Sequence, residues 1–230
     1  MARQARQSRP QLVCVLADNS GSMAGEKATA ATMGIREMIL RCQATGPRGV
    51  DRSYFKLVLI QFGHTAAIDE RCNLTPIRKI DSATIEVRGD GGGTNITEAL
   101  ELAYSGLHAY MQQLASHPER SDHPLPLVLL FSDGKNGYGH PEPMAEKIKQ
   151  LKLDGEGVIL ACAGVSIGGS SDQPDEVLLR KIASQDCYVH IDNVEMLGAF
   201  LAEVGSSGAS SPREISQIIR RLEDMRGITD

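Results

Sequence analysis

Three short polar clusters, far apart in the chain, carry the residue types that could do chemistry: Asp18-Asn19-Ser20-Gly21-Ser22, Thr94 after Gly91-Gly92-Gly93, and Asp133-Gly134. All of them offer oxygen. Two carboxylates and three hydroxyls, with no thiolate or imidazole among them, suit a hard divalent cation. Magnesium keeps an octahedral shell and gives up water reluctantly, which fits a set that leaves positions to water or to an outside ligand; manganese and calcium take oxygen donors too. The alternate spacing of Asp18, Ser20 and Ser22 lets an extended turn direct all three inward, and Gly21 between the serines permits a tight backbone path. Any one of these residues alone would read as a helix cap, because Asp, Ser and Thr favour that position. Three such clusters at predicted strand ends read as a site.

The elements that must position them alternate between apolar runs and helical periods. Gln11 to Ala17 is an unbroken apolar run, typical of a strand buried on both faces of a parallel sheet. Ala28, Ala31, Ile35, Met38, Ile39 and Cys42 then recur at helical spacing until Gly46-Pro47 stops them. Tyr54 to Phe62 predicts a strand, with Ala66 to Leu74 returning beside it as an antiparallel edge. Ile96 to Leu114 reads as a helix, Leu125 to Phe131 as a strand, and Met144 to Leu153 as a helix. Gly157 to Val165 reads as a strand, a helix is expected near Pro174 to Ala183, then a strand over Cys187 to Ile191 and a helix over Val194 to Val204. The pattern predicts an α/β fold: a doubly wound, Rossmann-like sandwich with a mostly parallel six-stranded sheet, one antiparallel edge strand and helices on both faces. Ligands of such sheets bind at the carboxyl ends of the strands, where the three clusters fall.

Around this domain, residues 11–205, the sequence predicts a disordered basic N-terminus over residues 1–10 and a flexible linker over residues 206–211. An amphipathic helix is expected over residues 212–226. Ser211-Pro212-Arg213-Glu214 has the form of a capping box with proline at the first helical position. Ile215, Ile218, Ile219, Leu222 and Met225 form one stripe, which either packs back on the domain or faces another chain.

Composition narrows the function. With 24 basic against 29 acidic residues and no long basic run, nucleic acid is a poor main partner. The five cysteines at 14, 42, 72, 162 and 187 form no CxxC pair, and three sit inside apolar runs. They read as reduced core thiols and point to a cytoplasmic home. No leader or membrane-spanning run of about 18 apolar residues is evident. Glycosylation of Asn95, within an acceptor triplet, would crowd the metal cluster next door. Gly91-Gly92-Gly93-Thr94 lacks the lysine of a phosphate-binding loop, Ser20 is not in a nucleophile elbow, and the histidines form no HExxH pair. Arg88-Gly89-Asp90 reads as a chance triplet.

Asp18-x-Ser20-x-Ser22, Thr94 and Asp133-Gly134 together resemble, position by position, the metal-ion-dependent adhesion site of von Willebrand factor A (VWA) domains, over about residues 10 to 205. Pro126-Leu127-Val128-Leu129-Leu130 and Val158-Ile159-Leu160-Ala161-Cys162-Ala163-Gly164 further resemble the short bacterial TerY-type proteins of tellurite-resistance clusters. The family resemblance implies a magnesium ion held directly by Ser20 and Ser22, by Thr94 directly or through water, and by Asp18 and Asp133 mostly through water. A partner protein's Asp or Glu completes the shell. It implies a non-enzymatic binding module, a cytosolic adaptor or scaffold. On the TerY resemblance the partners would be a kinase or phosphatase, in stress-response signalling. A metal-assisted phosphohydrolase and a self-associating structural module with an incidental metal are the competing readings.

Overall fold

The computed structural model describes residues 10–45, 54–115, 124–153, 156–167 and 173–226. Residues 1–9 of the expected basic N-terminus and the Gly46-Pro47 stop lie outside the described residues.

Strands β1 (Gln11–Asp18), β5 (Leu127–Ser132) and β8 (Ile159–Val165) are buried at every position, which is why they read as unbroken apolar runs. β2 (Phe55–Phe62) pairs in parallel with one side of β1 and β5 with the other; β8 and then β9 (Tyr188–Ile191) extend the sheet, also in parallel. Helix α1 (Glu26–Ala44) packs with α5 (Val194–Ala199) on one face. On the other, α2 (Ile96–Ala115) packs with α3 (Glu142–Gln150), and α3 with α4 (Glu176–Ile182). The mostly parallel α/β sandwich expected from the sequence is therefore present. After β1 the chain crosses through α1 to β2, whereas after β5 it crosses through α3 to β8 on the opposite side. The strand order thus reverses between β1 and β5, which opens a crevice at their carboxyl ends.

The sheet has seven strands, not six. The edge strand expected over Ala66 to Leu74 stops at Ile68 as β3 (Ala66–Ile68), and a second short strand, β4 (Thr75–Pro76), starts just past Leu74; both are antiparallel to β2. Between them the Asp69 carboxylate accepts from the Arg71 backbone N–H and starts a 3-10 turn over Glu70–Cys72, and Leu74 adopts a left-handed φ of 53°. No extended strand runs through such a path.

The helix expected to reach Leu153 stops at Gln150, and β6 (Lys152–Leu153) pairs back with β7 (Glu156–Gly157), so the strand expected from Gly157 starts at Ile159. The helix expected over Val194 to Val204 is α-helical only to Ala199 and widens into a π turn over Phe200–Val204. There Leu201 closes on Gly34 of α1, which has no room for a side chain.

Residues 205–211 run along the domain. Gln11 donates its side-chain N–H to the Ala209 carbonyl at 2.8 Å, and the Cys42 thiol lies 3.7 Å from the Gly205 carbonyl. Helix α6 (Pro212–Arg226) buries Ile215, Ile218, Ile219 and Leu222 against β9 and the π turn. The domain itself takes that stripe. Half of the expected capping box is in place, with Ser211 Oγ accepting from Glu214 N at 3.4 Å, while the Glu214 carboxylate reaches back one residue further, accepting from Ser210 N at 2.8 Å.

Candidate metal centre

β1 delivers Asp18 and β5 delivers Ser132 and Asp133 to the crevice between them. The Asp18 side chain accepts from Ser20 N at 2.8 Å through Oδ1 and from the Ser132 hydroxyl through Oδ2. Ser20 Oγ lies 3.1 Å from Ser22 Oγ, and Ser22 Oγ donates to Asp133 Oδ1 at 2.6 Å. Thr94, just before α2, joins from a third direction. A Cβ on Gly134 would stand 3.0 Å from Thr94 Oγ1 and 3.8 Å from Ser22 Oγ, so both hydroxyls face the same spot. Asp18, Ser20, Ser22, Thr94 and Asp133 are thus brought together from stretches up to 115 positions apart in sequence.

The electrostatics fit a cation. Asp18 and Asp133 have no solvent exposure, Ser20 has 1% and Thr94 8%, and buried carboxylates are costly unless a positive charge or hydrogen bonds compensate them. Burial pushes the Asp18 carboxyl up to about 6 against the opposing pull of hydrogen bonds from Ser132 and Ser20. Because Ser22 gives its proton to Asp133, it accepts from the Ser20 hydroxyl and keeps one lone pair for a cation. Among the described residues no three or more His, Cys, Asp or Glu side chains cluster as metal ligands. A metal held here would therefore rely on neutral hydroxyls, and the donor set fits a hard divalent ion.

Four more residues, Asn19, Ser132, Asn136 and Lys27, brace the site, and Tyr138 and His64 edge it. Asn19, the first variable position of the Asp-x-Ser-x-Ser run, accepts through Oδ1 from the backbone N–H groups of Arg88 and Gly89 at 2.8 and 2.7 Å. It also donates to Asp90 at 3.0 Å. Backbone bonds from Gly91 N to Asn19 O, from Gly21 N to Gly92 O and from His64 N to Gly91 O complete the stitching of three loops. Contacts here are close: a Cβ on Gly63 would lie 2.3 Å from the Gly91 carbonyl oxygen, and one on Gly89, at φ 70°, would lie 2.4 Å from Ala24 N. Asn136 Oδ1 accepts from Ile96 N at 3.0 Å, which ties the Asp133 loop to the start of α2. Ser132 holds Asp18. Lys27 reaches from the first turn of α1 to the Asp133 carboxylate, and its Nζ also donates to the Ser22 carbonyl at 3.3 Å. On the rim, Tyr138 donates to or accepts from His64 Nδ1 at 2.7 Å, the two rings meeting edge to face.

None of these four was singled out by type and spacing. Asn19 carried a faint signal, since Asn beside a turn tends to bond nearby backbone. Lys27 carried a better one: a cation in the first turn of a helix opposes the helix dipole, and a broken local rule marks a special position.

A second polar cluster lies at the ends of β8 and β9. Ser166 Oγ is 2.9 Å from His190 Nε2, and His190 Nδ1 is 2.8 Å from Glu176. The group order is that of a nucleophilic triad, but the His190–Glu176 approach is too poorly aligned for a hydrogen bond, and Ser166 N–H is committed to the Ile191 carbonyl. The Ser166–His190 contact ties the end of β8 to β9.

A sequence model of the von Willebrand factor type A domain matches residues 13–203, a span that takes in all three oxygen clusters. The chain belongs to this family. Solved structures agree with a VWA fold. The mussel byssus proximal thread matrix protein 1, solved with a zinc-occupied MIDAS motif, superposes with a TM-score of 0.60 at 18% identity, covering 93% of this chain and 49% of that one. The pilus adhesin SpaC of Lactobacillus rhamnosus GG gives 0.60 at 13% identity, covering 93% and 31%. Manganese-loaded Plasmodium vivax TRAP protein gives 0.53 at 16%, covering 86% and 74%. This VWA chain spans about half the length of the byssus protein it matches. No curated protein matches the chain. No helix among the described residues is long and apolar enough to cross a membrane.

Proposed function

We infer that the chain is a divalent-metal-dependent protein-binding module whose metal is held by Asp18, Ser20, Ser22, Thr94 and Asp133, an intact adhesion-type site. The observation that carries this reading is the meeting of two fully buried carboxylates and three hydroxyls at the point where the sheet reverses direction. When bound, a divalent ion such as Mg2+, or Mn2+ or Ca2+ in its place, supplies positive charge that neutral hydroxyl ligands leave largely uncompensated, and so attracts an outside carboxylate. The chain's own residues do the rest. Asp133 fixes the Ser22 hydroxyl by a hydrogen bond, Asp18 holds the Ser20 backbone N–H, Thr94 is set by the start of α2, and Tyr138 and His64 form the rim over which a partner's Asp or Glu approaches.

On this reading the protein is non-enzymatic and cytoplasmic, an adaptor or scaffold whose five thiols stay reduced. The resemblance to TerY-type proteins favours bacterial stress-response signalling, with a kinase or phosphatase as partner. The two metal-loaded structural neighbours support the choice of a metal site in this fold.

Calorimetry with Mg2+ and Mn2+ tests the core of the proposal. The wild type should bind one ion, and Asp18→Ala or Asp133→Ala should weaken binding at least tenfold. Partner capture should vanish with chelator and in the same variants. A wild-type protein that binds neither ion would remove the reading.

A further inference from the structure

Lys27 is placed where an ammonium group is doubly unfavourable. It sits in the first turn of α1, against the positive end of the helix dipole, and only 5% of it is exposed. What offsets that cost is the oxygen cluster: Nζ pairs with Asp133 Oδ2 and donates to the Ser22 carbonyl. The second contact anchors the charge beside the site even apart from Asp133. Of the three ionic groups gathered there, Asp18 and Asp133 are negative and Lys27 is positive, so two carboxylates present the net charge of one.

We propose that Lys27 sets the charge of the metal site: by cancelling one carboxylate it loosens the grip on a divalent ion and leaves that ion more positive toward a visiting carboxylate. The proposal rests on the metal-binding reading above and adds a trade-off to it. A site with two uncompensated carboxylates would hold the ion tightly but neutralise it, leaving little attraction for a partner. A site with Lys27 gives up metal affinity and keeps one more unit of charge for recognition. Removing a unit charge about 5 Å from a divalent ion changes its binding by at least about tenfold even when the interaction is screened as strongly as in bulk water.

The signs make the test decisive. Mn2+ binding is measured by calorimetry on wild type, Lys27→Met and Lys27→Gln, with folding checked by circular dichroism; the glutamine variant keeps a hydrogen-bond donor for Asp133 without the charge. Each Mn2+-loaded protein is then titrated with acetate, read as the loss of water-proton relaxation when carboxylate displaces ion-bound water. Either neutral variant that folds should bind Mn2+ at least tenfold more tightly and acetate at least fivefold more weakly, while Lys27→Arg stays within threefold of wild type in both. Mn2+ affinity that falls or stays level in the neutral variants overturns the proposal and makes Lys27 a prop for Asp133, with the metal site itself left standing. Failure of the wild type to bind Mn2+ would overturn the metal reading and this inference with it.

Discussion

Asp18 shows how one buried side chain couples the fold to its ligand. Its carboxyl, ordinarily near 3.8, is pushed up to about 6 by burial, so between these values the folded chain binds a proton that the unfolded chain does not. Above about pH 6 both states are ionised and the fold carries the full cost of the buried charge, about 3 kcal/mol. Stability of the chelated protein should therefore rise as pH falls from 7 towards 4.5 in urea titrations, and Asp18→Asn should flatten that rise. Mg2+ should act in the opposite sense, stabilising most at pH 7 and least at pH 5, where it must displace the proton. The meeting of the five oxygen-bearing residues of the candidate site was legible because their types and spacing have a chemical reason. Asn19, Ser132 and Asn136 were not, because each does its work through backbone or carboxyl partners that only the folded chain brings within reach.

Among the elements, what the sequence revealed was set by how local the cause is. Strands buried on both faces announce themselves as apolar runs, and β1, β5 and β8 stand where those runs fall. The split between β3 and β4 depends on an Asp69-capped turn and on the left-handed Leu74, neither of which alters hydrophobic periodicity. The π turn after α5 lies where Leu201 packs on Gly34, a contact 167 positions distant in sequence that hydrophobic periodicity does not reveal. Helix α6 had a legible stripe but an illegible destination, since amphipathicity says which side is apolar and not what covers it. Its docking predicts that Ile219→Asp, which buries a charge where Ile219 is 2% exposed, costs about 3 kcal/mol or more. Thermal unfolding should show a clearly lowered midpoint with secondary structure retained at low temperature; an unchanged midpoint would mean that the stripe is not part of the cooperative core.

Across the whole molecule, the cysteines belong to the packed core. All five cysteines are free and buried, and burial raises the thiols of Cys14, Cys42, Cys72 and Cys187 to about 12 and that of Cys162 well above its ordinary value. Thiolate is the reactive form, so the native protein should resist iodoacetamide at pH 8 and take up five equivalents only after unfolding in guanidinium, as counted by mass spectrometry. Fast labelling of any one thiol without denaturant would contradict the packing described for it.

The close approaches at Gly63 and Gly89 bear on how this chain can change over generations. Neither glycine touches the proposed ion, yet any larger residue at position 63 would collide with fixed main chain, and at position 89 the left-handed backbone adds its own objection. In a library of every single replacement, selected only for metal retention, both positions should stand out as blanks as deep as those at the ligands. Invariance there would record steric necessity, and a catalogue that equated intolerance with contact would assign these two glycines a role in coordination that they do not have.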